Sequence, residues 1–266
     1  MSTAQTRRNM IVDLVNSVGS MSVVELALHF KVSKVTIRAD LDILEAGKKL
    51  IRTHGNAQSV NLQPQLDTLQ YPHELSFADK QHHNRGMKAK IAKHAVEYIN
   101  DYETILLDSG TTMFDLAMEI SKKQWQRLTI ITTSLPIANL LSKQVGIDLV
   151  LLGGHYRRKS HSFTGALTEK LLSSLRFSKL FVGADGYHHQ HGITTLSEKE
   201  ASLNRLMLSM ASEVFVLCDH TKFGRQSSNW ICEFDAPHHV ITDDNIRREY
   251  ITYFKNANVD LVIVKK

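Results

Sequence analysis

The chain has 266 residues, 42% of them hydrophobic, which suffices for one large or two modest domains and excludes a chain without a core. Its two cysteines, Cys218 and Cys232, exclude a disulfide scaffold or a C-x-x-C clip and fit a reducing cytoplasm, with Cys218 expected as a packed core thiol. Net charge is +5, and residues 1–60 hold eight Lys and Arg against five Asp and Glu, so basic charge is concentrated at the N-terminal end. No run approaches the about 20 apolar residues of a membrane span, and the N-terminus lacks the apolar core of a signal peptide.

In chain order, Ile11, Leu14, Val15 and Val18 are spaced as one helical face behind Arg7 and Arg8, and Gly19 is expected to close that helix. Ser22 and Glu25 form an S-x-x-E capping box, so a second helix should begin near Val23, burying Val23, Leu26, Ala27 and Phe30 and leaving Glu25 and His29 outward. It should stop near Lys31-Val32, because Ser33 is another good N-cap and a new apolar period follows at Ile37, Leu41 and Leu44. The spacing predicts helix, three-residue turn, helix. Ser33, Lys34, Thr36 and Arg38 then stand at the start of the third helix, as donors of the kind that reach phosphates and base edges in a major groove. Gly47 can end this helix, and Lys48, Lys49, Arg52 and His54 decorate a short hairpin after it. The pattern is a winged helix-turn-helix, with double-stranded DNA as the expected partner. Helix pairs with short turns also occur in proteins that bind no DNA, and the two caps with the clustered donors favour DNA binding over that alternative.

Periodicity fades from Gln58 to about Leu75, where Pro64 and Pro72 fall, and this stretch reads as a linker. The expected domains are residues 1–58, a linker over 59–75, and a second domain over 76–266. In the second domain a helix over 88–99 precedes strands at 104–107, 128–132, 147–152, 179–182, 214–217, 240–242 and 261–264. Helical patterns at 114–121, 136–143, 167–175 and 197–210 lie between them. Such alternation predicts a mostly parallel α/β sheet covered by helices on both faces, with ligands at the C-terminal strand ends.

Those ends carry the chemistry. Asp108-Ser109-Gly110-Thr111-Thr112 leaves one strand and opens a helix, so its backbone N–H groups and hydroxyls can cradle a phosphate. Gly, Ser and Thr also simply make turns and caps. Thr132-Thr133-Ser134 and Gly153-Gly154 end two further strands, and Arg157 and Arg158 either supply charge or lie solvated at the surface. Asp185 in Gly183-Ala184-Asp185-Gly186, Thr194 in Gly192-Ile193-Thr194-Thr195, and Lys222 after Asp219 offer groups for sugar hydroxyls and an anion. The histidines His188, His189 and His191, and the pairs His82-His83 and His238-His239, are expected as surface residues without a metal, because adjacent side chains usually point apart.

Val32-Ser33, Thr36-Ile37-Arg38, Asp40-Leu41, Leu44-Glu45 and Leu50-Ile51-Arg52-Thr53-His54-Gly55 resemble the N-terminal signature of the DeoR family of bacterial sugar-metabolism repressors. Ala39 stands where that pattern commonly has a second arginine, and Asn56 where it commonly has a second glycine. The strand-end loops at 108–112, 153–154, 183–186, 192–194 and 222–223 are similar to the family's sensor domain, in the same order. The resemblance implies a fold similar to ribose-5-phosphate isomerase and sugar-phosphate deaminases, and a phosphorylated sugar as effector. Segments 153–160 and 200–205 look most like regulators of N-acetylgalactosamine and galactitol utilisation. The expected protein is a cytoplasmic homo-oligomer, dimer or tetramer, without cofactor or membrane contact, that represses a carbohydrate-utilisation operon until a sugar phosphate releases it. The competing expectation is an isomerase or deaminase with a DNA head, using Asp185 with Glu198 or Glu200 as acid and base.

Overall fold

Two serines set the helix starts at the N-terminal end. Ser22 Oγ accepts the Glu25 N–H at 3.1 Å while Glu25 Oε2 accepts the Ser22 N–H at 2.7 Å, and Ser33 Oγ accepts the Thr36 N–H at 3.1 Å. The computed structural model describes residues 3–18, 20–47, 49–53, 56–59, 74–257 and 259–265, and the chain divides into two units, Met1–Leu66 and Asp67–Lys266. Gly19 and residues 60–73 of the expected linker lie outside the described residues.

The first unit contains α1 (Thr3–Val18), β1 (Ser20–Ser22), α2 (Val23–His29), α3 (Lys34–Ala46), β2 (Leu50–Thr53) and β3 (Asn56–Ser59). Its strands form an antiparallel sheet in the order β1-β3-β2, so the expected hairpin gains a third strand from the segment before α2. Ile11, Val15, Leu26, Ile37, Leu41 and Ala57 are wholly buried in one core. The turn between α2 and α3 spans four residues rather than three. Lys31 takes φ +52°, the left-handed conformation that reverses the chain, while the Val32 N–H reaches back to the Ala27 carbonyl at 3.1 Å. A lysine in that position leaves no glycine in the sequence to mark the stop.

The second unit opens with α4 (Phe77–His82), α5 (Arg85–Ala95) and a 3-10 turn over Val96–Tyr98. There follow β4 (Thr104–Leu107), α6 (Thr111–Ile120), β5 (Leu128–Thr132), α7 (Leu135–Leu141), β6 (Ile147–Leu151), β7 (His155–Arg157), β8 (Ser162–Thr164), α8 (Ala166–Ser173) and β9 (Lys179–Val182). The chain continues through β10 (Gly186–His188), β11 (Gly192–Thr195), α9 (Glu198–Met210), β12 (Glu213–Leu217), β13 (Asn229–Cys232), β14 (His239–Asp243), α10 (Arg248–Asn256) and β15 (Asp260–Val264).

Seven of these strands form one parallel sheet, β15-β14-β12-β9-β4-β5-β6, and they are the seven expected from apolar runs, with ends shifted by at most one residue. Both faces are covered, as near-continuous apolar strands require. Leu106, Val182 and Val216 share one core with Ala201 and Met207 of α9 and Phe254 of α10, while Ile105, Leu107, Phe181 and Phe215 share the other with Ile91 of α5 and Leu116 of α6. The short antiparallel sheet β10-β11-β13 and the hairpin β7-β8 were not expected from sequence, because three- and four-residue strands interrupted by Gly and His carry little alternation. Among the described residues, no helix is long and apolar enough to cross a membrane.

Sheet order places the candidate site. After β4 the chain winds outward through β5 and β6, then returns to the other side of β4 with β9 and continues through β12 to β15. The winding direction therefore reverses between β4 and β9, the point beyond whose C-terminal strand ends open α/β sheets bind their ligands.

Candidate functional site

On the first unit, Lys34 and Arg38 are exposed along α3, and Lys49 is exposed just before β2. Ser33 and Thr36 sit beside them, with their hydroxyls 2.9 Å apart, so both take part in capping α3. Lys48, His54 and the side chain of Arg52 lie outside the described residues. On the opposite face of α3 the buried Asp40 accepts Arg7 Nε at 2.6 Å and Arg8 Nε at 2.9 Å. Burial alone would raise this carboxyl, yet the two guanidiniums hold it below its ordinary value. Arg7 and Arg8 thus brace α1 against α3.

On the second unit, Asp108 follows β4 at the reversal point. Burial pushes its carboxyl up to about 7, with the Glu200 charge adding to the rise, against hydrogen bonds from the N–H groups of Ser109 and Gly183 and from the Asn204 side chain. The Gly183 bond ties the ends of β4 and β9 together. Gly110, the residue before α6, has φ +129° and open space where a side chain would stand, and Gly153 and Gly183 border open space too. Ser134, before α7, is fully buried and its Oγ finds no hydrogen-bond partner among the described residues.

Three side chains of the α4–α5 hairpin, spaced four apart, reach this strand-end region. Lys80 Nζ is 2.8 Å from Asp185 Oδ1, Asn84 Nδ2 donates to Asp219 Oδ1 at 3.0 Å, and Lys88 Nζ donates to Thr111 Oγ1 at 2.9 Å. Burial would raise the Asp185 carboxyl, but Lys80 and Lys222 nearby hold it well below the carboxylate range. Asp219 is likewise lowered against burial by Lys222, and its carboxylate caps the turn that carries Lys222. Lys88 is pushed down to about 8, chiefly by burial, with Asp219 opposing the fall. Lys80 and Asn84 do not stand out in the sequence, and Lys88 reads there only as part of a helix start. The signal was available as Lys80, Asn84 and Lys88 at helical spacing, but nothing local says which surface such a face meets.

Other expected residues are engaged elsewhere. Arg157 pairs with Glu74, lies 3.1 Å from Glu200 and donates to Ser197 Oγ at 2.7 Å, so carboxylates of the protein hold its guanidinium. Thr194 Oγ1 donates to the Gly186 carbonyl at 3.3 Å and accepts the Ser227 N–H at 2.8 Å, joining β11 to its neighbours. Gly154, at φ +151°, lies where a side chain would meet Thr168 Oγ1 at 2.0 Å, so its bare backbone admits a protein hydroxyl. Of the histidines expected at the surface, His82, His83, His191 and His238 are exposed, but His188 needs correction. His188 is buried, with its ring 4.6 Å from that of His189, which stacks on Tyr253 at 4.3 Å. The β10–β11 turn folds the His189 ring back onto α10. Among the described residues, no cluster has the donors to hold a metal ion.

Residues 7–63 match the DeoR-like helix-turn-helix domain and residues 83–244 match the DeoR C terminal sensor domain. The lactose phosphotransferase system repressor of Lactococcus lactis subsp. lactis is 35% identical over 248 residues, covering 93% of this chain and 94% of that one. The putative aga operon transcriptional repressor of Escherichia coli O157:H7 is 34% identical over 258 residues, covering 97% and 93%. Among solved structures, a ribose 5-phosphate isomerase of Methanocaldococcus jannaschii aligns with 53% of this chain and 55% of that one, at 22% identity and a TM-score of 0.39.

Proposed function

Since the chain belongs to the DeoR family of helix-turn-helix transcriptional regulators, we propose that it represses a carbohydrate-utilisation operon and leaves its operator when a phosphorylated sugar occupies the site beyond β4 and β9. The observation that carries the effector reading is Lys88. Its buried ammonium sits against Thr111, at the N-terminus of α6, where the helix dipole is also positive. Burial disfavours the Lys88 ammonium even with Asp219 and Asp115 near it, so an anion beside it would be stabilised, and the open space beside Gly110 admits one. Ser109, Thr112, Lys222 and the orphaned Ser134 hydroxyl are the further groups we assign to the phosphate, with Asp108 and Asp185 assigned to sugar hydroxyls.

The protein works in the cytoplasm as a symmetric oligomer, since operators are read by paired heads. By linkage, operator DNA weakens effector binding by the same factor as effector weakens DNA binding.

The raised carboxyls of Asp108 and Glu200 favour a second reading, an isomerase-like enzyme with a DNA head. Against it, Asp185 is held ionised by Lys80, and the relatives are named as regulators. Anisotropy of labelled duplex from upstream of the gene, with sugar phosphates added to the preformed complex, tests the repressor reading. Release by one sugar phosphate is expected. Turnover of a sugar phosphate by the purified protein, abolished in Asp185→Asn, would replace it with the enzyme.

A further inference from the structure

The outer face of α3 carries an apolar line that the capping and packing of the helix leave unused. Val35 is 72% exposed, Ala39 one turn later is exposed, and Ile43 a further turn on is 50% exposed. The core side of the same helix is already filled by Ile37, Leu41 and Leu44. A single exposed valine needs no explanation, but here the line starts in the first turn of α3 and is bordered by the exposed cations Lys34 and Arg38. An apolar line with cations along one side fits a surface that is anionic at its rim and apolar at its floor. The major groove has that character wherever thymine presents its 5-methyl group, the one apolar feature of a base edge there.

We propose that Val35 and Ala39 read thymine 5-methyl groups in the operator half-site, while Lys34 and Arg38 hold the helix to phosphates and neighbouring base edges. This rests on the DNA-binding reading and adds a base class to it. The first two turns of α3 enter the groove, so Ile43 lies beyond the contacted bases. At the position of Ala39 a methyl group meets a methyl group, and that position carries no donor for guanine.

Duplexes enriched from a random pool by the full-length protein supply the test. Each thymine of the enriched half-site is replaced in turn by deoxyuridine, which removes the methyl group and keeps the pairing. At least one replacement should weaken binding about fourfold, the effect of one buried methyl group. That penalty should vanish in Val35→Ala or in Ala39→Ser, both exposed positions that leave the fold intact. If no replacement changes affinity, or if the penalty survives in both variants, the methyl contact is wrong and the apolar line belongs to a protein partner. Failure to enrich any duplex would remove DNA reading altogether, a different result from tight binding that ignores deoxyuridine.

Discussion

Lys80 Nζ lies 2.8 Å from Asp185 Oδ1, tying a helix that precedes the sheet to the loop after β9, 105 residues later in the chain. The pair is partly shielded, with 28% of the lysine side chain and 12% of the aspartate exposed. Lys80→Met should leave the Asp185 carboxylate with Lys222 as its remaining nearby cation and cost about 1–3 kcal/mol, less than for a fully buried pair. Adding Asp185→Asn should restore most of that loss. Urea denaturation of the two variants checks it, and equal stability of Lys80→Met and the parent would show the pair to be incidental.

Asp108 gives the second unit a pH dependence of its own. Its folded value near 7 stands above the about 3.9 of an unfolded aspartate, so the folded state holds an extra proton between those values and loses stability as pH rises through that window. Asp108→Asn should flatten the melting profile between about pH 4 and 7. Asp185 and Asp243 act in the opposite sense. Burial would raise both, but Lys80 depresses Asp185, and hydrogen bonds from His220 hold Asp243 at about 2. Their contribution is present above about pH 4 and fades as pH falls further. An Asp108→Asn profile with the parent's slope would mean that Asp108 is ionised throughout.

Lys88 should take up a proton when an anion arrives. Burial holds its ammonium at about 8, and a phosphate beside it would reverse that fall. Calorimetry at pH 8 in buffers of different ionisation enthalpy should show proton uptake on effector binding. Lys88→Met should lose that uptake and bind at least about tenfold more weakly, the loss of a charge-assisted contact. Unchanged affinity would take Lys88 out of the effector site.

The cations of the first unit should separate by their roles. Arg38→Ala is expected to weaken operator binding and alter sequence preference, whereas Lys49→Ala should lower affinity for all duplexes and reduce the salt slope by about one. Titrations at several salt concentrations distinguish the two. Intact operator affinity in Arg38→Ala would move the reading surface off α3.

Local patterns were enough to place the seven parallel strands and the helices α2 and α3. Apolar runs such as Thr104–Leu107 and caps such as Ser22 and Ser33 act within a few residues, and short-range sterics and hydrogen bonding settle them wherever the segment lies. The loop from Asp108 to Thr112 was legible for the same reason: a strand end, a glycine and a helix start adjoin in sequence.

Side-chain partnership was not legible. Arg157 reads as free charge for an anion, yet Glu74 and Glu200, distant in sequence, take it. Lys80 and Lys88 read as ordinary helix lysines, yet the fold turns them toward Asp185 and Thr111. By itself, then, the sequence determined the seven parallel strands, the helices α2 and α3 and the DeoR-type order of strand-end loops. Only the tertiary structure decided which charges neutralise one another. Those choices depend on distances across the sheet and on burial, and neither quantity is carried by any stretch of chain alone.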